Sequence, residues 1–129
     1  DRMAESPNKF SADHWPNEIR YKKDEKILEI NFDDGATFRF PAEFLRVESP
    51  SAEVQGHGPD DRKTVPGCRH VEIESMDPVG NYAIRINFGD SHNTGIFTWR
   101  YLYEIGQKQD ALWVDYLDAL TEQGLSRDP

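Results

Sequence analysis

Phe88-Gly-Asp-Ser-His-Asn-Thr-Gly-Ile-Phe-Thr-Trp99 is the stretch that decides the fold. It begins at the end of a strongly alternating segment, passes through turn-forming residues around His92, and resumes with aromatic and β-branched residues. Two alternating runs joined by such residues are typical of a β-hairpin. The stretch therefore predicts a hairpin with His92 at its tip, and Thr98 is placed to cap a helix that Gly106 would end.

An earlier segment, residues 30–45, has the same plan of strand, acidic turn, strand and aromatic-led helix. Ile30-Asn31-Phe32 matches Ile86-Asn87-Phe88, and Asp34 matches Asp90. Each copy is too small to close its own core, so the two units are expected to share one sheet. The predicted fold class is α+β, with a small antiparallel β-sheet built from two repeated hairpin-plus-short-helix units and a C-terminal helix.

The sequence predicts four segments along the chain. Residues 1–13 are polar and predict a flexible arm, residues 14–106 form the predicted domain, 107–124 the C-terminal helix, and 125–129 a tail expected to fray. Asp77-Pro78-Val79-Gly80 is interpreted as a turn. In the last helix, apolar residues recur at helical spacing and predict a core or oligomer contact: Trp113, Tyr116, Leu117 and Leu120.

Composition limits the classes of partner. The net charge is −9, from 24 acidic against 15 basic residues, which argues against nucleic acid and anionic membranes. No apolar run approaches the roughly 20 residues that cross a bilayer. The single cysteine, Cys68, excludes an intrachain disulfide, and a reducing cytoplasm is the predicted setting.

The candidate site combines the aperiodic loop 49–67, which contains Gly56-His57-Gly58, with the hairpin tip. We expect a small polar pocket that binds an anion, a metal or a peptide of a partner protein. The competing interpretation is that both histidines only hydrogen-bond the loop backbone. Trp99 is expected to pack inward beside aromatic residues of a protein-contact surface. The candidate binding residues are Arg46, Ser49, His57, Asp90, His92 and Trp99.

A metal site formed by His57 and His92, completed by Asp90 or Cys68, is a sharper alternative. Histidine and aspartate suit zinc, iron or nickel, but neither a CxxC nor an HxxxH spacing preorganises these ligands. No cofactor and no catalytic residue is predicted. Cys68 is interpreted as a small structural residue, because no base or oxyanion donor is identified beside it.

Four motifs together resemble one family. They are residues 44–53 (FLRVESPSAE), Gly56-His57-Gly58, residues 79–83 (VGNYA) and residues 88–99. In combination they are similar to the γ-butyrobetaine hydroxylase-like N-terminal domain, also known as a domain of unknown function, over about residues 15–106.

The resemblance implies a zinc site that this chain has lost. In the eukaryotic relatives three cysteines and a histidine bind zinc, and the corresponding positions here are Ser49, Ser51, Val54 and His92. The resemblance also implies a non-catalytic adaptor that works with a separate enzyme, an oxygenase or an iron–sulfur carrier ATPase. Self-association is predicted separately, from the aromatic residues of the last two helices, which include Trp113 and Tyr116. The alternative left open is a small metal-binding protein or metal-dependent enzyme that uses His57 and His92.

Overall fold

The computed structural model describes residues 14–50, 64–89 and 94–129, so the predicted arm lies outside the described residues. These residues form six strands and three helices. In chain order the elements are β1 (Pro16–Lys22), β2 (Ile27–Phe32), β3 (Thr37–Pro41), α1 (Ala42–Val47), β4 (Ile73–Val79), β5 (Ala83–Phe88), β6 (Thr94–Thr98), α2 (Trp99–Gln107) and α3 (Gln109–Gln123).

The strands form two three-stranded antiparallel sheets, in the orders β1-β2-β3 and β4-β5-β6. The α+β class, the two hairpin-plus-helix units and the C-terminal helix are confirmed. The strands do not join into the single sheet that we expected. Each hairpin has a further strand on its N-terminal side, so the central strands β2 and β5 already have partners along both edges.

Two strand assignments differ from the sequence prediction. β1 was not predicted, although Ile19 and Tyr21 alternate with charged residues along it. β4 continues to Val79 through the segment that we interpreted as a turn, and the chain reverses at Gly80, where φ is +54°. Pro78 is tolerated because β4 is an edge strand that pairs only with β5. On the unpaired side of an edge strand no hydrogen bond of the sheet depends on a backbone N–H, so proline fits there.

The internal repeat is visible in side-chain hydrogen bonds. In the first unit, Thr37 Oγ1 donates to Asn31 Oδ1 over 2.7 Å, and Asn31 Nδ2 donates to Glu18 over 3.2 Å. In the second unit, Thr94 and Asn87 form the same bond over 2.8 Å, and Asn87 Nδ2 donates to Ser75 over 2.7 Å. The matched asparagines therefore join the three strands of their sheets in the same way.

The inner faces of both sheets and residues of all three helices pack together in one hydrophobic core. Alternation along the central strands places one face of each in the core, since Leu28, Ile30 and Phe32 of β2 are buried and so are Ile84, Ile86 and Phe88 of β5. On α3, Tyr116 and Leu120 are buried, and Trp113 and Leu117 pack against the core. Trp99 also packs inward, as expected.

Helix α2 belongs to the second unit but packs against the first. Thr98 caps it as predicted, accepting a hydrogen bond from the Tyr101 amide over 3.0 Å. Gly106 does not end the helix, which continues to Gln107. A Cβ at Gly106 would lie 2.6 Å from Cγ of Phe38, so the glycine allows the helix to approach β3 closely.

The C-terminal tail, which the sequence predicted to fray, is hydrogen-bonded to the rest of the domain in this structure. The amides of Gly67 and Arg69 donate to the carbonyls of Ser126 and Arg127, each over 3.0 Å. The Arg127 side chain also pairs with Glu43 of α1. The tail therefore joins the segment before β4 to the first unit.

We expect Gly106→Ala to destabilise the protein by about 1–3 kcal/mol, the usual cost of overpacking a core. Alanine would gain up to about 1 kcal/mol of helix propensity over glycine, but the contact falls on the root of the Phe38 ring, which cannot move aside easily. Urea unfolding measures the difference. Gly89→Ala is the control, because its Cβ would meet no atom closer than 3.5 Å. Equal stability of the two variants would contradict the argument.

Candidate functional site

Three of the six predicted binding residues, His57, Asp90 and His92, lie outside the described residues. The pocket that would join the loop to the hairpin tip therefore stays a prediction. So does the metal site proposed for His57 and His92.

The other three predicted binding residues are all buried. Arg46 lies in α1, and Ser49 follows that helix. Ser49 lies against β6, because a Cβ built on Gly95 would be 2.4 Å from its Oγ. Trp99 donates from Nε1 to the Asn81 carbonyl over 3.1 Å. The structure thus places Ser49 beside the strand that follows the predicted tip, and Trp99 within the packing of the second unit.

Cys68, the other candidate metal ligand, is buried just before β4. Its thiol donates to the Pro66 carbonyl over 3.5 Å. Burial of this kind suits the structural role that the sequence indicated.

An open groove lies between α1 and α3 and has a volume of about 410 Å³. Both apolar and charged side chains line it, and Val114 among them is 54% exposed. The lining residues are Pro41, Glu43, Phe44, Gln109, Asp110, Trp113, Val114 and Arg127.

An ion pair and an aromatic ring form the floor of this groove. Arg127 donates to both carboxylate oxygens of Glu43, over 2.7 and 2.8 Å, and its guanidinium lies 5.3 Å from the Trp113 ring centroid. The hydrogen bonds to Glu43 raise the pKa of Arg127. The Trp113 ring packs on the rings of Phe44 and Tyr116, with centroids 6.4 and 5.2 Å away, and these contacts fix its position.

The helix on one side of the groove is strongly acidic. In its fifteen residues α3 has four carboxylates and no lysine or arginine. Such a surface favours a partner with basic groups. The carboxylates belong to Asp110, Asp115, Asp118 and Glu122.

A second polar cluster lies at the β2–β3 turn. The Tyr103 hydroxyl of α2 donates to Asp34 Oδ2 over 2.5 Å, and the Ala36 amide donates to Oδ1 over 3.0 Å. These bonds, led by the one from Tyr103, lower the pKa of the Asp34 carboxyl, and the same contact raises the pKa of Tyr103. His14 stacks on the Tyr103 ring at 3.8 Å between centroids.

The sequence predicted only some of the residues that meet in the groove and at the β2–β3 turn. The spacing along α3 identified Trp113 as an aromatic contact residue, whereas Glu43 and Arg127 are 84 positions apart and no local pattern joins them. Asp34 was interpreted only as part of a turn. His14 stands at the edge of the predicted arm, and nothing in its neighbours indicates that it meets Tyr103.

Within the described ranges, no helix combines the length and apolar character that a membrane crossing requires.

The fold and these clusters define a small α+β domain made of two interlocked units of three strands and a helix. The family model described as gamma-butyrobetaine hydroxylase-like, N-terminal, matches residues 19–103. The chain therefore belongs to the γ-butyrobetaine hydroxylase-like N-terminal family, as the sequence motifs predicted. No curated protein matches the chain.

Solved structures agree with this assignment. Two proteins determined by NMR in solution are 44% and 38% identical to this chain, with TM-scores of 0.77 and 0.78. The alignments cover 90% of this chain and 91% of the first protein, and 98% of this chain and 92% of the second. A protein of unknown function in the DUF971 family from Acidithiobacillus ferrooxidans is 41% identical, over 70% of this chain and 91% of its own, with a TM-score of 0.59.

We expect Arg127→Ala to lower the free energy of unfolding by about 2 kcal/mol, because hydrogen bonds to charged groups contribute about 1.5–3 kcal/mol and the Glu43 carboxylate would stay buried. Arg127→Lys should lower the free energy of unfolding less, because lysine keeps the positive charge but cannot make the bidentate contact with the Glu43 carboxylate. Lys108→Ala is the matched control and should lose at most about 1 kcal/mol, because its ion pair with Glu104 is exposed. Similar losses in urea unfolding for Arg127→Ala and Lys108→Ala would contradict this role.

We expect Tyr103→Phe to raise the pKa of Asp34 toward its ordinary value, because the main donor to the carboxylate is lost. In the wild type the folded-state pKa lies below the unfolded one. The hydrogen bond therefore stabilises the fold above about pH 4, and this contribution is lost as the pH falls through the folded-state pKa. Carboxyl carbon NMR titration of both proteins measures the change. Identical Asp34 titration curves would show that Tyr103 does not control this carboxyl.

Proposed function

We propose that this protein is a non-catalytic binding or adaptor domain that works with a separate enzyme or with an iron–sulfur carrier ATPase. The groove between α1 and α3 is the observation that carries the proposal. Trp113 and Arg127 meet on its floor, and these two residue types are enriched among the residues that dominate protein–protein binding energy.

The groove also indicates what kind of segment would bind. Val114 offers an exposed apolar contact, and Phe44 and Pro41 add further apolar lining. The surrounding charge is acidic, from Asp110 and the outer face of α3. A complementary segment would place an apolar side chain over Trp113 and would flank it with lysine or arginine.

Family membership supports the same proposal. The family's description refers to the N-terminal part of hydroxylase-like proteins, which is a place for a domain that accompanies an enzyme. An oxygenase or an iron–sulfur carrier ATPase is the partner that the family resemblance suggests. The proposal includes a cytoplasmic setting, and it keeps the loop surface around His57 and His92 as a second contact face. Self-association of the chain also stays a prediction.

Affinity capture from an extract of the native cells tests the proposal, with the chain as bait. We expect Val114→Asp to reduce the captured oxygenase or ATPase about thirtyfold or more, since a charge placed against an apolar side chain of the partner costs about 2 kcal/mol or more. Ile96→Asp is the matched control, because Ile96 is also exposed, at 44%, but lies on β6. It should capture the same partner as the wild type.

Two outcomes would overturn parts of the proposal. Capture of neither kind of partner by the wild-type chain would reject the adaptor function. Loss of the partner in a His57→Ala/His92→Ala variant, with full capture by Val114→Asp, would reject the groove and move the contact to the loops.

The alternative function, a metal-binding protein or metal-dependent enzyme that uses His57 and His92, stays a prediction because both residues lie outside the described ranges. Metal content of the tag-free protein and of the His57→Ala/His92→Ala variant distinguishes it. One equivalent of metal that disappears in this variant would favour the alternative.

A further inference from the structure

A histidine and two carboxylates meet at the β2–β3 turn. His14 precedes β1, and Asp33 and Asp34 form the turn. One ligand atom from each of the three side chains lies within 4.8 Å of the others. From this geometry we propose that His14, Asp33 and Asp34 bind a divalent first-row transition metal ion of the zinc class.

The distance between His14 and Asp34 fits two ligands of one ion. His14 Nδ1 lies 3.4 Å from Asp34 Oδ2. This separation exceeds the usual hydrogen-bond length of about 2.9–3.0 Å. A tetrahedral zinc ion with bonds of about 2.0–2.1 Å separates its ligand atoms by about 3.3 Å, so the observed distance fits an ion between the two atoms. Asp33 then needs only a rotation of an exposed side chain to add the third ligand.

Two of the three ligands, His14 and Asp34, are held in place by neighbouring residues. The Asp33 amide donates to the Trp15 carbonyl over 2.8 Å, which holds the turn beside the residue that follows His14. The His14 ring lies on Tyr103, with an angle of 12° between the ring planes. Tyr103 and the Ala36 amide fix the Asp34 carboxylate, as outer hydrogen bonds commonly do for metal ligands.

The chemistry of these groups suits the proposed ion. An imidazole nitrogen and carboxylate oxygens are common zinc ligands, and three protein ligands leave a position for water. Asp34 Oδ2 accepts from Tyr103 and still has a second lone pair for the metal. The ion would also neutralise two adjacent carboxylates on a turn open to solvent.

This site differs from the positions at which family relatives bind zinc, which correspond here to Ser49, Ser51, Val54 and His92. It is also independent of the adaptor proposal, because it lies at the β2–β3 turn and shares no residue with the lining of the α1–α3 groove. The two proposals can therefore fail separately.

Calorimetric titration of the tag-free, chelator-treated chain with Zn²⁺, and absorption titration with Co²⁺, test the site. We expect one equivalent of each ion to bind. His14→Ala and Asp34→Asn should abolish saturable binding, and Tyr103→Phe should weaken it about tenfold, the usual effect of removing an outer hydrogen bond. His70→Ala, which removes an exposed histidine elsewhere, should bind like the wild type.

NMR places the ion directly. Co²⁺ should shift or broaden the amide signals of His14, Asp33 and Asp34 most strongly, and circular dichroism should show that Asp34→Asn, which changes an exposed residue, keeps the wild-type fold. Absence of saturable binding in the wild type would overturn the proposal. Binding that survives in His14→Ala and Asp34→Asn but disappears in His57→Ala/His92→Ala would also overturn it and would assign the metal to the loops.

Discussion

The structure depends on one constraint, which is that neither three-stranded sheet can cover its own apolar face. The helix of the second unit covers the first sheet. Tyr103 of α2 makes edge contacts with Phe32 and Phe38 at 5.2 and 5.3 Å between centroids, and Gly106 brings the helix against Phe38. The hydroxyl of Tyr101 donates to the Glu48 carbonyl after α1 over 2.5 Å, which ties α2 to the end of the first unit. The two halves of the repeat are therefore one domain because the helix of the second unit covers the sheet of the first.

Packing of α2 and of the C-terminal tail against the first unit positions both polar clusters. The β2–β3 turn meets α2 only because that helix crosses to the first unit, and this crossing places the Tyr103 hydroxyl on Asp34. On the opposite side of the first unit, the C-terminal tail returns to α1, and Arg127 reaches Glu43 beside Trp113. Each cluster thus joins residues from distant parts of the sequence. Arg127 and Glu43 pair their charges within the protein, whereas the four carboxylates of α3 add an acidic surface with no basic residue on the same helix.

The sequence predicted the strands and helices whose apolar residues recur at a regular local spacing. Strands β2 and β5 were found because each has one buried face, and α3 was found because its buried residues recur at helical spacing. β1 was missed because Ile19 and Tyr21 are too few to stand out beside the polar N-terminal segment. The turn assigned to Asp77–Gly80 was wrong at its start, because Pro78 signals a turn but is equally suited to an edge strand. The α1–α3 groove and the His14 cluster depend on long-range packing, and no spacing in the sequence indicates which side chains meet there.

The crossing of α2 also has a consequence for the order of folding. The strands of each sheet are neighbours along the chain, so each three-stranded meander requires only short loops to close. The contacts that join the units are remote in sequence, since Tyr103 and Asp34 are 69 positions apart and Tyr101 and Glu48 are 53 positions apart. Contacts at such separations form late, because the entropy of closing the loop is lost before they compensate for it. Docking of α2 is therefore expected to be the slow step, and its release the first opening event when the native protein unfolds.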